Sequence, residues 1–214
     1  TWFCGYFTIN DTTYTVEVFK DDGKGIDASI KDINSLFEFG VTTTNGSGLG
    51  LYYAKKQMKE FMKALNAIVA EKGIEELWFE AHYMYRHRLA DFARQFAPAE
   101  VKFRCGIESF DPSLRSAWNK GIPEHVTPQD VAHYFKGVCL LCCTTGDTKE
   151  RILRDIAVAK ENFEYFSVNL FCNNGTAVKR DKELCEWFVK KVYPTLKNVE
   201  NVEVLIDNCD LGVG

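Results

Sequence analysis

The sequence predicts an α/β protein, a partial parallel β/α barrel preceded by a small α+β segment. Two observations carry the barrel. From residue 66 onward five short apolar runs appear, Glu76–Glu80, Val101–Cys105, Val138–Cys143, Phe166–Phe171 and Val202–Ile206. Between most of them lie amphipathic helical stretches, Tyr85–Phe96, Thr127–Phe135, Lys149–Asn162 and Asp181–Val192, which is the rhythm of β/α units in a parallel sheet. A third observation sets the first sixty residues apart: one alternating run, then glycine-rich loops, then a long breaker-free helical stretch.

Composition bounds the function classes. The 214 residues are 46% hydrophobic and 26% charged, an ordinary globular balance, and sixteen Phe, nine Tyr and four Trp can fill a sizeable core. A net charge of −4 and a pI near 5.6 argue against a nucleic-acid partner, which calls for a basic surface. The most basic stretch, Arg86-His87-Arg88 with Arg94, reads as a solvated helix face. No apolar run approaches the roughly 20 residues that cross a bilayer, so no membrane partner is expected. No charged segment followed by an apolar one opens the chain, and the eight Cys are scattered. Free thiols in a cytoplasmic, reducing setting are therefore expected. Thr1 stands where an initiator Met would, as expected of a segment cut from something longer.

In the first segment, Thr12–Phe19 alternates and reads as a strand. It runs into Asp21-Asp22-Gly23-Lys24-Gly25-Ile26-Asp27, and a short helix is expected over Ser29–Phe37. Phe39-Gly40-Val41-Thr42-Thr43-Thr44-Asn45 follows, and then Gly46-Ser47-Gly48-Leu49-Gly50-Leu51 opens a helix expected to reach about Ala70. A glycine-rich loop at a helix start presents free N–H groups and the positive end of the helix dipole, which suits phosphate.

Taken in order, these segments resemble the G1, F and G2 boxes of the GHKL ATPases, the histidine-kinase-type family, over about residues 11–60. The resemblance implies that Asp21 would bond the adenine amino group and that Gly23 and Gly25 would let the backbone close on the nucleotide. Thr42, Thr43 and the loop carrying Gly46, Gly48 and Gly50 would form a lid over the phosphates. ATP and Mg are the implied ligands. The family's N box, a helix whose Asn binds the metal, is not matched by the preceding TWFCGYFTIN. ATP affinity through this half alone is therefore expected to be weak.

In the second segment every apolar run ends in polar or small residues: Glu80 and His82; Gly106, Glu108 and Ser109; Thr144, Thr145 and Gly146; Asn169, Asn173 and Asn174; Asp207, Asn208 and Asp210. Parallel barrels bind ligands at the C-terminal ends of their strands, so the pattern predicts one polar rim, with a buried-type Glu at position 80. Turn chemistry alone also favours Asn, Asp and Gly at such places. Cys139, Cys142 and Cys143 lie in one run, where alternation sends neighbours to opposite faces. Buried thiols are expected there rather than a metal site.

The stretch CGIESFDPSLRSAWNKGI resembles the fourth-strand segment of radical SAM enzymes, and CLLCCTTGDTKERI resembles their fifth-strand segment. The resemblance covers about residues 66–214. It implies that Glu108 and Ser109 would face S-adenosylmethionine, with Gly146 near its backbone and Asn169 or Asn173 near its ribose or adenine. Glu80 would lie close to substrate. The C-x3-C-x2-C run that holds the family's [4Fe–4S] cluster does not occur, so the sequence does not support that cluster.

The expected organisation is a GHKL ATPase-like fragment at 1–62 and a radical SAM-like partial barrel at 63–214, sharing one helix and packed as a single body. Three readings of function stay open: a radical SAM-like part joined to an ATP-binding part and lacking complete catalysis, a nucleotide-binding ATPase module, and a non-catalytic interaction protein. The expected partner is a nucleotide or a SAM-like small molecule.

Overall fold

The computed structural model describes residues 2–9, 12–19, 35, 50–174 and 176–207. Its compact units are Thr1–Gly73 and Ile74–Gly214.

In the first unit, β1 (Trp2–Ile9) and β2 (Thr12–Phe19) pair antiparallel, from Trp2 opposite Phe19 to Ile9 opposite Thr12. β2 has the bounds its alternation predicts. β1 (WFCGYFTI) was not anticipated, although its aromatic and β-branched content suits a strand. Helix α1 (Gly50–Lys72) spans 23 residues, in keeping with the absence of Pro and of internal Gly. The helix expected over Ser29–Phe37 lies outside the described residues except for Ser35, which sits in a 3-10 turn.

The second unit is a five-stranded sheet in the order β3-β4-β5-β6-β7, parallel throughout. Its strands are β3 (Glu76–Ala81), β4 (Glu100–Glu108), β5 (Gly137–Cys142), β6 (Tyr165–Leu170) and β7 (Val202–Leu205). The five apolar runs are therefore the five strands, each beside its neighbours in sequence.

Alternation along these strands separates two chemistries. One set holds Phe103, Cys105 and Ile107 on β4, Val138, Leu140 and Cys142 on β5, and Phe166, Val168 and Leu170 on β6, all buried in the core. Helix α5 (Lys149–Asn162) adds Ile152, Ile156 and Ala159 to that core, and the segment from α6 (Lys182–Trp187) to α7 (Tyr193–Leu196) adds Leu184, Phe188, Val192 and Leu196. The other set is polar and forms the candidate site described below.

Local chemistry explains the helix ends. Asp111 caps α3 (Pro112–Ala117), Thr127 forms a capping box with Asp130 on α4 (Pro128–Ala132), Thr148 caps α5 and Asp181 caps α6. Each side-chain oxygen takes an N–H of the first turn that would otherwise lack a partner.

Two expected helices are corrected. The stretch Tyr85–Phe96 is not one α-helix. A 3-10 turn (Tyr83–Arg88) leads into the short α2 (Leu89–Ala93) and then another 3-10 turn (Arg94–Phe96). The helical spacing still serves to set Phe92 and Phe96 against Phe79. The stretch Asp181–Val192 runs on to Leu196 through a π-helical turn at Phe188–Val192. Pro194 has no N–H to donate within the helix, and wider turns often accommodate such gaps. Among the described residues no helix is long and apolar enough to cross a membrane.

Arg115 is the largest fully buried side chain among the described residues. Its guanidinium donates to the carbonyls of Phe110 at 3.2 Å and Val126 at 3.3 Å, and more loosely to those of Ser109 and Glu124. It ties the segment after β4 to the loop before α4. Arg115→Met keeps the bulk and removes the donors, so buried carbonyls lose partners. It is expected to lower stability by about 2–3 kcal/mol, measured as a lower urea midpoint with an unchanged slope.

Candidate functional site

The polar face is assembled by register. Glu80 on β3 is opposite Arg104 on β4, Arg104 is opposite Gly137 on β5, and Gly137 is opposite Tyr165 on β6. One step along, Cys139 is opposite Ser167, which is opposite Glu203. A further step brings Leu141 opposite Asn169 and Asn169 opposite Leu205.

Charges on this face are paired. The Arg104 guanidinium lies 3.3 Å from Glu80 and 3.9 Å from Glu203. Tyr165 donates its hydroxyl to Glu203 at 2.5 Å, and burial together with that carboxylate pushes the phenol above its usual range. The Cys139 thiol donates to Glu80 at 3.6 Å, and burial first, then Glu80, raises it to about 12. It is a neutral thiol near pH 7. Gly137 leaves room for rings: a Cβ there would lie 3.1 Å from both Trp78 and Tyr165, whose centroids are 5.4 Å apart.

The strand-end cluster is built on Gly106. A Cβ at Gly106 would lie 3.2 Å from a Glu80 carboxylate oxygen, 3.8 Å from one of Glu108 and 3.8 Å from the Lys120 ammonium. Two carboxylates and a cation thus converge over one glycine. The Lys120 ammonium bonds Glu108 at 2.7 Å, with both side chains largely buried. A bulge between Cys105 and Glu108 sets Glu108 opposite Leu140, a core position. Glu108 has a left-handed φ of 66°, an uncommon state for a residue other than Gly, Asn or Asp. Bulges and such backbones re-aim side chains beside functional sites, and here the carboxylate stays next to Gly106. His82 supports the arrangement: its Nδ1 accepts the Met84 N–H, which leaves Nε2 to donate to the Lys120 carbonyl at 2.6 Å.

The expected rim residues divide. Glu80 and Glu108 come together, although Glu80 is half-exposed rather than buried. Asn169 shares their face, and its buried side-chain oxygen has no hydrogen-bond partner. Ser109 does not face this group. It is 1% exposed, donates to Asp155 at 2.5 Å and accepts the Asp111 N–H, because it follows the bulge into the helix side. Gly146 (φ 88°) lies in the exposed turn after β5, with open space around it. Asn173 is exposed, and its side-chain oxygen takes the Arg180 N–H at 2.9 Å. Asp207 pairs with Arg180 at 3.1 Å, and Asn208 and Asp210 lie outside the described residues. So do Asp21, Gly23, Gly25, Thr42, Thr43, Gly46 and Gly48, whereas Gly50 is the first residue of α1. Arg104, Lys120, Tyr165 and Glu203 were not singled out from sequence. Placing the strands in register would have found Arg104 and Glu203.

Among the described residues no group of three or more His, Cys, Asp or Glu is arranged to hold a metal ion. Among the described thiols, Cys139 faces Glu80 whereas Cys105 and Cys142 belong to the core under the helices.

No protein-family model matches the chain, and no curated protein does. Among solved structures the chain is similar to a queuine lyase from Clostridium spiroforme bound to SAM and queuine. The identity is 33% and the TM-score 0.67, over 72% of this chain and 66% of the lyase chain. The chain thus spans just under two thirds of that enzyme. The parallel five-stranded sheet with its helices is accordingly an α/β, radical SAM-like partial barrel.

Proposed function

We propose that the polar face of Ile74–Gly214 binds a small molecule of the S-adenosylmethionine class, and that the chain as a whole joins this radical SAM-like scaffold to an ATP-lid-like segment without completing either catalytic set. The observation that carries the reading is the site over Gly106, where Glu80, Glu108 and Lys120 meet on the same face as the unpartnered oxygen of Asn169. A zwitterionic amino-acid group matches paired carboxylates and an ammonium. A buried acceptor without a donor costs about 1–3 kcal/mol, which an amino or hydroxyl group of a nucleoside would offset. Support also comes from the similar lyase, whose structure holds SAM and queuine, a heterocyclic base. S-adenosylmethionine supplies methionyl and adenosyl chemistry when bound; Glu108 and Lys120 would orient its amino acid, and Asn169 its nucleoside. The sequence contains neither the C-x3-C-x2-C run nor the metal-binding N box, so the reading is one of binding rather than turnover.

Calorimetric titration with S-adenosylmethionine is expected to show saturable binding. Glu108→Gln and Asn169→Ala should each weaken it about tenfold, with the fold unchanged by circular dichroism. No saturable heat, or affinities that both variants leave untouched, would refute the proposal.

A second reading, ATP binding by residues 11–60, is favoured by one observation. The glycine-rich Gly46–Gly50 sequence is followed by α1, which starts at Gly50, so its N–H groups suit phosphate. Asp21, Gly23, Gly25, Thr42, Thr43, Gly46, Gly48 and Gly50 are the residues this reading uses. Titration with Mg-ATP should give weak saturable binding that Asp21→Asn reduces about tenfold. A flat titration of the unaltered chain sinks it.

A further inference from the structure

The most basic stretch of the chain, Arg86-His87-Arg88 with Arg94, takes no part in the cluster over Gly106. It lies beside a second concavity. Between β3, the last strand in the sheet order, and the turns and helix that follow it there is a cleft of about 430 Å³, within the roughly 300–1,000 Å³ span of small-molecule sites. Its floor is aromatic. Phe79, Phe92 and Phe103 line it, with Phe79 edge-on to Phe92 at 5.1 Å and Phe92 edge-on to Phe103 at 6.0 Å between ring centroids. Phe103 is buried, whereas Phe79 and Phe92 keep part of their surface exposed.

The polar groups around the cleft differ in what they already hold. Both lining carboxylates face cations: Glu80 is 3.3 Å from Arg104, and Asp91 pairs with Arg94. Arg86 lies over the Tyr83 ring, 4.5 Å from its centroid. Arg88 lines the cleft and, among the described residues, has no ion pair. The Tyr85 hydroxyl and the Gln95 amide line it too, again without a protein partner among the described residues. We propose that this cleft binds a small aromatic carboxylate, with its ring against Phe79 and Phe92 and its carboxylate on Arg88.

Each part of the ligand has a physical counterpart. A guanidinium offers a carboxylate two parallel N–H bonds, and a neutral or cationic head group cannot use them. Aromatic rings favour edge-to-face contact with one another, which a floor of phenylalanines supplies. The floor is held firmly: Phe79 lies in β3 and Phe92 in α2, and the buried Phe96 packs 5.2 Å from Phe79. Arg88 ends a turn that begins at His82, whose Nδ1 accepts the Met84 N–H. The cleft is lined by none of Glu108, Lys120 and Asn169, so occupancy here does not depend on S-adenosylmethionine binding at the polar face.

The test titrates the full chain with 3-phenylpropanoate and follows backbone amides by NMR. Saturable shifts are expected at Phe79–Ala81 and across Tyr85–Gln95, with one ligand per chain. The neutral 3-phenylpropanamide should bind about tenfold more weakly, and Arg88→Glu should weaken the carboxylate about tenfold while leaving the amide's affinity near its original value. Shifts confined to other residues, equal affinity for carboxylate and amide, or no saturation overturns the proposal. So does an Arg88→Glu chain that binds the carboxylate as before. A dimer in sedimentation that protects these amides makes a second copy of the chain the occupant, and it too overturns the proposal. The carboxylate-against-amide comparison on the unaltered chain decides the question even if the variant fails to fold.

Discussion

The two-residue period of the strands is the constraint on which the second unit depends. Phe103, Cys105 and Ile107 point under the helices, and Lys102, Arg104 and Gly106 fall on the other face. Parallel sheets are ordinarily buried on both faces. Here one face is dry and the other carries Glu80, Arg104, Tyr165 and Glu203 in mutual contact. A one-residue slip in any strand would exchange the two sets, so packing against α5, α6 and α7 also holds the polar residues in position.

The cluster over Gly106 shows how a small irregularity gives the face its chemistry. With regular pairing, the end of β4 would simply continue the alternation. The bulge shifts Glu108 opposite a core position, and its left-handed backbone keeps the carboxylate beside Gly106 and Lys120. Ser109 continues into the core, where Asp155 and the Asp111 N–H use its hydroxyl as donor and acceptor. Burial raises the Asp155 carboxyl, against the opposing effect of that hydrogen bond. Two neighbouring residues thus have separate duties, Glu108 at the cluster and Ser109 in the scaffold.

The described thiols divide in a similar way. Cys105 and Cys139 lie within strands and are raised chiefly by burial. Cys172 and Cys185 lie past the strand ends, where Arg180 reaches both sulfurs. The thiols past the strand ends differ in having a guanidinium as hydrogen-bond donor, although burial still raises the Cys185 thiol.

The strand number and parallel order of the second unit and the course of α1 and α5 were legible in the sequence, because each follows from local periodicity and capping residues such as Thr148, whereas β1 was not. Glu80, Glu108 and Asn169 were legible as strand-end polar residues. Arg104, Lys120 and Glu203 were not, since each owes its place to a partner at least 12 residues away in the chain or to strand register. The winding of Tyr83–Phe96 and the turning-away of Ser109 were likewise set by packing and by a bulge that leaves no mark in a hydrophobic pattern. In the second unit the sequence by itself determined which segments are strands and which face of each is apolar, because those depend on neighbours one to four residues apart. Only the tertiary structure decided which charges meet over Gly106 and which thiols gather at Arg180, because those meetings depend on register between strands far apart in sequence.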